Sequence, residues 1–197
     1  MCKFYSAIVM KNGDLLHNEN LISHEDIIDF FNINDSQVNC DKFVRVEFSP
    51  LNKSDIADIS AYRLNVDESS APEWFEKHRE YITEKLSSIV KNRIVEGDRK
   101  LLTGGMYVLK NANIQKIMSC IIISMGNSQV GEMRENSQVR VMRENSQVGV
   151  MWENSQVGEM WENSQVGEMR GNSQVGEMRE NSQVGKNYSK NKTPDKK

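Results

Sequence analysis

The chain has 197 residues, a hydrophobic fraction of 38% and a formal net charge of −3 at pH 7. Residues 1–118 contain 18 acidic and 15 basic side chains, and residues 119–197 contain 10 of each, which argues against a basic nucleic-acid-binding protein. The longest apolar stretch, residues 117–125, is far shorter than the roughly 20 residues that a membrane-spanning helix needs.

The first elements are a hairpin and a short helix. Asn12-Gly13 separates two apolar runs, and both residues tolerate the positive φ that a type I′ turn requires. Ser23 is the expected N-cap of the helix that follows, since acidic residues crowd the next turn. The predicted buried face of this helix consists of Ile27, Ile28, Phe30 and Phe31.

Further strands and a longer helix complete the predicted N-terminal domain. Residues 41–50 and 59–69 alternate apolar and polar side chains, as half-buried strands do. Residues 69–95 carry apolar residues at helical spacing and are predicted to form the main helix. Residues 97–125 are expected to add two or three strands around glycine and asparagine turns. We therefore assign residues 1–125 to an α+β domain, in which two helices back a sheet.

A nine-residue repeat follows this domain. Asn-Ser-Gln-Val is identical in seven copies, glycine follows it in all but the second, where Arg140 stands, and methionine recurs three residues after the valine in six. The copies begin at Asn127, Asn136, Asn145, Asn154, Asn163, Asn172 and Asn181. Glycine and Asn-Ser disfavour a helix, whereas a short strand fits, with the glycine letting the chain turn.

Stacked copies of such a strand predict a β-solenoid, because identical residues then form columns. We assign residues 126–185 to this solenoid and favour two copies per coil, with three per coil as the alternative. Its outer end would expose a strand edge, so we expect a homodimer stacked end to end. Residues 186–197 contain five lysines and a proline and are predicted to be a disordered basic tail. The repeat region could instead be a poorly ordered low-complexity segment, but its strict Val/Met pattern disfavours this.

The residue after each methionine varies between arginine and tryptophan. With two copies per coil, Trp152 and Trp161 lie on opposite sides of one coil, each with an arginine above and below. Such a column could stabilise the surface, or it could form a protein-binding patch, since Trp and Arg are enriched in binding hot spots. The predicted binding surface contains Trp152, Trp161, Arg134, Arg143, Arg170, Arg179, Glu153 and Glu162.

Catalytic chemistry has a weaker basis in this sequence. The histidines (His17, His24 and His78) do not follow a metal-ligand spacing, so we expect neither a metal nor a cofactor. Three widely spaced cysteines (Cys2, Cys40 and Cys120) favour a reducing compartment, and no signal-peptide cleavage site follows the apolar start. We therefore expect a soluble protein in the bacterial cytoplasm. If Met1 is removed, Cys2 could act as an N-terminal nucleophile, in which case the protein is a hydrolase or transferase and the repeat an oligomerisation module.

The repeat resembles the NSQVG-type repeats of bacterial and bacteriophage proteins and, more distantly, hexapeptide β-helix repeats with NAQV units. The segments MCKFYSAIV, FVRVEFSP, PEWF and GDRKLLTGG resemble the leader domain that often precedes such repeats. This family has no established activity. Acyltransferase activity is not implied, because residues 119–197 contain no histidine. By association with small phage proteins, the resemblance implies a non-enzymatic protein-binding module, in its most concrete form a phage-encoded inhibitor of a host defence nuclease, as anti-CRISPR proteins are.

Overall fold

The computed structural model describes residues 5–35, 41–68 and 70–195. The chain divides into two compact units, Met1–Asn92 and Arg93–Lys197. None of the described helices combines the length and the apolar composition that crossing a membrane requires.

The first unit contains a four-stranded antiparallel sheet. Its strands are β1 (Ser6–Met10), β2 (Leu15–Leu16), β3 (Phe43–Pro50) and β4 (Tyr62–Val66), in the order β2-β1-β3-β4. The hairpin between β1 and β2 is present, but only Gly13 has a positive φ, of 89°. The predicted type I′ turn is therefore wrong: a type I turn closed by the Gly13 N–H to the Met10 carbonyl, 2.8 Å away, leads into a left-handed glycine instead.

Among the described residues, three α-helices accompany this sheet, α1 (His24–Phe30), α2 (Glu73–Glu76) and α3 (Arg79–Lys91), together with the short 3-10 helices Lys53–Asp55 and Ile59–Ala61. Ser23 caps α1 by accepting a hydrogen bond of 3.0 Å from the Asp26 amide. Ile27 and Ile28 are buried against Ile8 and Phe43. Phe30 and Phe31, also predicted to be buried, are instead exposed and pack edge to face on each other. The predicted main helix is two helices, since the chain between α2 and α3 tightens into a hydrogen bond from the His78 amide to the Phe75 carbonyl.

The second unit is a β-solenoid of about five turns that spans residues 94–189. Its first strands are β5 (Ile94–Thr103), β6 (Met106–Met118) and β7 (Ile121–Gly126). The following strands are β8 (Gln129–Arg134), β9 (Gln138–Arg143), β10 (Gln147–Met151), β11 (Gln156–Met160), β12 (Gln165–Gly171), β13 (Gln174–Met178) and β14 (Gln183–Ser189).

These strands form two parallel stacks. One half of β6 pairs with β7, and β9, β11 and β13 continue that stack. The other half of β6 pairs with β8, and β10, β12 and β14 continue the second stack. The chain thus alternates between the stacks, with one turn at each edge of the solenoid.

The solenoid begins well before the repeat that is visible in the sequence, at Ile94 and not at Asn127. Residues 94–125, which are predicted to belong to the α+β domain, form β5 to β7 within the solenoid instead. The reason is that Ile114 and Ile117 take the register positions of Val130 and Met133, so the apolar columns extend backwards into a segment without the repeat motif.

The sequence separation between register partners grows along the chain. It is shortest where Ile94 of β5 pairs with Val108, longer by one position where Met106 of β6 pairs with Ile121, and longer by one more where Asn113 pairs with Gln129. It grows by one more position where Ile121 of β7 pairs with Gln138, and by a last one from β8 onwards, after which it stays constant. Within the uniform part, valine stacks on valine and methionine on methionine, and these columns are buried as far as Val175 and Met178.

The turns between the stacks use glutamate where the sequence suggested glycine. The residue after each Arg or Trp adopts positive φ, between 55° and 61° at Glu135, Glu144, Glu153, Glu162 and Glu180. Gly171 has the same conformation, with a φ of 67°, whereas the glycine after each valine does not. The interpretation of the repeat glycine as the turning residue is therefore wrong.

The segment after the repeats continues the solenoid. Strand β14 extends to Ser189 and pairs with β12, so residues 186–189 of the predicted disordered tail lie in the solenoid. Lys190 continues this pattern, since its amide donates to the Gly171 carbonyl at 2.9 Å.

Candidate protein-binding surface

Two columns of aromatic and arginine side chains follow the strands of the solenoid. The Arg134 ladder consists of Arg134, Trp152, Arg170 and Tyr188, which follow the methionine position of β8, β10, β12 and β14. The Arg143 ladder consists of Arg143, Trp161 and Arg179, in the equivalent places of β9, β11 and β13. Because the chain turns at opposite edges after the two stacks, one ladder lies at each edge.

Each tryptophan is held between two guanidinium groups. Arg134 and Arg170 lie 5.2 and 4.7 Å from the ring centre of Trp152. Arg143 and Arg179 lie 5.7 and 4.3 Å from that of Trp161. Arg170 also lies 5.8 Å from the ring centre of Tyr188, which extends the Arg134 ladder by one layer. The six predicted Trp and Arg residues thus form two groups of three, with cation–π geometry in each.

Glutamates two residues before the ladder positions fix most of the arginines. Arg134 donates to Glu132 at 2.7 Å, Arg170 to Glu168 at 2.5 Å and Arg179 to Glu177 at 2.8 Å. The Arg134 guanidinium beside Glu132 lowers the pKa of that carboxyl, chiefly through the hydrogen bond. This pairing is not among the sequence predictions, although the spacing Glu-Met-Arg indicates it by placing both side chains on adjacent positions of the outer surface.

Arg143 differs from the other ladder arginines. Val141 stands where they have a glutamate, and within the described ranges Arg143 has no ion pair. Its guanidinium is exposed apart from its contact with Trp161. Arg143 therefore offers the most available positive charge in either ladder.

Glu153 and Glu162, both predicted to belong to the binding surface, have a local role. Each carboxylate accepts a hydrogen bond from the backbone amide of the equivalent glutamate one coil earlier, Glu135 for Glu153 and Glu144 for Glu162. Their position beside the ladders is as expected, but the side chains bind the turns of the solenoid. Asparagine ladders at the same turns, such as Asn145 Nδ2 to Asn127 Oδ1 at 3.0 Å, reinforce both edges.

The two indole N–H groups have different surroundings. Trp161 Nε1 donates to Glu159 Oε2 at 2.9 Å. Trp152 Nε1 is buried and has no partner in the described part of the chain, because Val150 replaces the glutamate at that position. A buried donor without an acceptor costs about 1–3 kcal/mol.

We expect the substitution Val150→Gln to raise the free energy of unfolding by about 1 kcal/mol, because the glutamine oxygen can accept from Trp152 Nε1. Glutamine is preferred to glutamate because Val150 pairs in register with Glu132 and Glu168, next to which another negative charge would be repelled. Urea denaturation measures the change. The matched control, Glu159→Val, removes the acceptor of Trp161 and should lower stability by a similar amount; a loss of stability in Val150→Gln would contradict the assignment.

A groove adjoins the Arg134 ladder. Its volume is about 410 Å³, and it is lined by Lys100, Leu101, Gln115, Lys116, Met118 and Glu132. Met118 is the register partner of Arg134, so the groove opens beside the first arginine of the ladder. Lys116 lies 3.8 Å from Glu132, whereas Lys100 forms no ion pair with any residue that the structure describes. The groove combines an apolar floor with a net positive rim.

Reactive residues outside the ladders have structural surroundings where they are described. Cys2 and Cys40 lie outside the described residues. Burial raises the pKa of Cys120 to about 11, so this thiol is unreactive at neutral pH. His24 is buried and bonded through Nε2 to the Val46 carbonyl at 3.0 Å, and His17 Nδ1 is bonded to the Tyr5 hydroxyl at 2.9 Å.

No protein-family model, no curated protein and no solved structure matches this chain.

Proposed function

We propose that this protein is a non-enzymatic protein-binding module that contacts its partner through the Arg134 and Arg143 ladders. The observation that carries the proposal is the double guanidinium contact on Trp152 and Trp161, which holds large, half-buried side chains in place at both edges of the solenoid. Rigid Trp and Arg side chains lose little conformational entropy on binding and are the residues most often found in binding hot spots.

The surface that carries the ladders repeats once for every two nonapeptides. From β8 onwards each residue pairs with the same position two nonapeptides later, as Gln129 does with Gln147, which supports two copies per coil. Successive ladder members are separated by about 4.8 Å, so the Arg134 ladder presents a strip about 14 Å long. The adjoining groove lies at the start of this strip and suits an apolar anchor residue next to an acidic one.

The geometry favours a protein over a nucleic acid or a sugar. Bases and sugar rings stack on open aromatic faces, but both faces of each ladder tryptophan are covered by arginine. Phosphate binding needs unpaired cations, whereas Arg134, Arg170 and Arg179 are each bound to a glutamate. What remains available is the edge of each indole ring and a mixture of charges, which matches the polar and aromatic composition of protein interfaces.

The test is capture of a partner from a lysate of the native host on the immobilised full-length chain. We expect Arg143→Ala with Arg170→Ala to weaken capture by about 30-fold or more, the effect of losing about 2 kcal/mol at a hot spot. The matched control is Gln156→Ala with Gln174→Ala, which changes exposed side chains of β11 and β13 outside the ladders. Equal retention by the ladder variant and the control would contradict the proposal.

The more specific form, a phage-encoded inhibitor of a host defence nuclease, rests on the resemblance of the repeat and stays a prediction. The same capture experiment tests it, since a defence nuclease should then be the retained protein. The alternative, catalysis by Cys2, also stays a prediction: Cys2→Ser should leave capture unchanged, and retention of Met1 in the mass spectrum of the mature chain would exclude an N-terminal thiol.

A further inference from the structure

The last coil of the solenoid departs from the repeat at the position that faces the core. Asn187 is the register partner of Met169, and Lys186 and Tyr188 are the partners of Glu168 and Arg170. Met169 is fully buried, as are the earlier methionines of this column. Asn187 therefore places an amide where a further coil would need an apolar side chain, and burying that amide without partners costs free energy.

Asn187 is the centre of a local hydrogen-bond network. Its Nδ2 donates to the Asn191 carbonyl at 2.9 Å and to Thr193 Oγ1 at 3.0 Å. Its Oδ1 accepts from the backbone amide and the hydroxyl of Ser189, at 2.9 and 2.7 Å. The residues after β14 are thus folded back around Asn187.

The same segment is fixed to the coil before it. Asn191 Nδ2 donates to the backbone carbonyls of Asn172 and Ser173, at 2.9 and 3.2 Å. These carbonyls belong to the turn that leads into β13, so the segment occupies the place that the next coil would take at this edge. Residues 186–193 are called the terminal segment below.

Beside the terminal segment, the end of the solenoid keeps an unpaired strand edge in the described structure, that of β13. Strand β13 pairs with β11 on one side, and on its other side no strand of the described residues pairs with it. Its core residues Val175 and Met178 are 6% and 5% exposed, compared with 1% and 0% for Val157 and Met160 one coil earlier. An unpaired edge above an apolar core is a template for another strand.

We propose that the terminal segment is a cap that prevents the solenoid from stacking end to end with a second copy of this chain. We choose a second copy as the partner because a two-fold axis brings the same end of both copies together. The unpaired strand edge of each copy then pairs with that of the other, and the two apolar ends cover each other. In such a contact Lys186 and Lys190 of both copies approach each other and repel, and Asn187 of each copy loses its partners. The end-to-end homodimer expected from the repeat therefore requires that this segment is removed or that its residues are substituted. This inference does not depend on the ladders or their partner.

Two changes to the segment test the proposal. The full-length triple variant Lys186→Glu, Asn187→Met and Tyr188→Arg gives the last copy the residues of the earlier ones, and a second variant ends at Gly185. We expect sedimentation velocity to show the native chain at its monomer mass of 22.6 kDa and both variants at about twice their monomer mass. Gln183→Ala, an exposed change in β14 outside the network, should stay monomeric.

The full-length triple variant decides the question if the shortened chain does not fold, as monitored by circular dichroism. A native chain that is dimeric at all concentrations would overturn the cap. A triple variant that keeps its β-sheet spectrum and remains monomeric would also overturn the cap. An unfolded triple variant would overturn it as well, because the proposal requires that the last coil can accept the residues of the earlier copies.

Discussion

Gly158→Ala should lower the free energy of unfolding by about 3 kcal/mol, the upper part of the range for overpacking a close-packed site. A Cβ atom at this position would lie 2.6 Å from the Arg140 carbonyl oxygen in the neighbouring strand. That oxygen belongs to backbone within a paired strand, so neither side can move without breaking the register. Urea denaturation followed by tryptophan fluorescence measures the loss.

Arg140→Ala provides the matched control at the same place in the repeat. Arg140 lies over β7, where the matching residue Ile123 is buried, whereas the repeat glycines are exposed. Arg140 already carries a Cβ atom at this place in the repeat, so a side chain is accommodated over β7. We expect Arg140→Ala to change stability by less than about 1 kcal/mol, as is usual for partly exposed positions. Equal losses in the two variants would show that the clash is not the cause.

This close contact explains why glycine recurs in the repeat. A Cβ atom would lie between 2.5 and 2.7 Å from a backbone oxygen of the preceding coil at each of six glycines. These are Gly131, Gly149, Gly158, Gly167, Gly176 and Gly185. In a sequence, a recurrent glycine indicates either a positive φ or the close approach of a neighbouring backbone, and only coordinates distinguish the two. The structure favours the close approach, because the positive φ falls on the glutamates of the turns.

The stacking of the solenoid was predictable because identical residues in register form columns. The spacing of valine, methionine and asparagine carried that information, and so did the alternation of arginine and tryptophan that places Arg134 and Arg170 on either side of Trp152. The start of the solenoid was not predictable from identity, since residues 94–125 share with the repeat only an apolar pair three residues apart.

The composition of the candidate site was predictable, but the direction of its carboxylates was not. At the positive φ of Glu153 and Glu162, the side chain points along the solenoid axis to a backbone amide, a direction that depends on the turn and not on residue type. The break in the Glu-Met-Arg pattern at Val141 and Val150 was visible in the sequence. Its consequences, an unpaired Arg143 and a buried Trp152 N–H without an acceptor among the described residues, needed the register.

Trp161→Ala should lower the free energy of unfolding by about 3 kcal/mol, the lower end of the range for removing a large aromatic side chain. The substitution removes the half-buried indole, its hydrogen bond to Glu159 and the contacts with two guanidinium groups, of which Arg179, at 4.3 Å from the ring centre, is the closer. Arg179→Ala alone should cost about 1 kcal/mol. If the ladder acts as a unit, the double variant loses less than the sum of the two, by about 1 kcal/mol, in a double-mutant cycle measured by urea denaturation.

Phenylalanine separates the contribution of the ring from that of the N–H group. Trp161→Phe keeps an aromatic face for both arginines but loses the bond to Glu159, so it should cost about 1 kcal/mol more than Trp152→Phe, whose N–H has no partner in the described structure. Equal costs would mean that the Glu159 bond contributes nothing in solution. Additive losses in the Arg179 cycle would mean that the arginines contact the rings without stabilising them. In that case the ladder would not be rigid, and the argument that it binds a partner at low entropic cost would lose its basis.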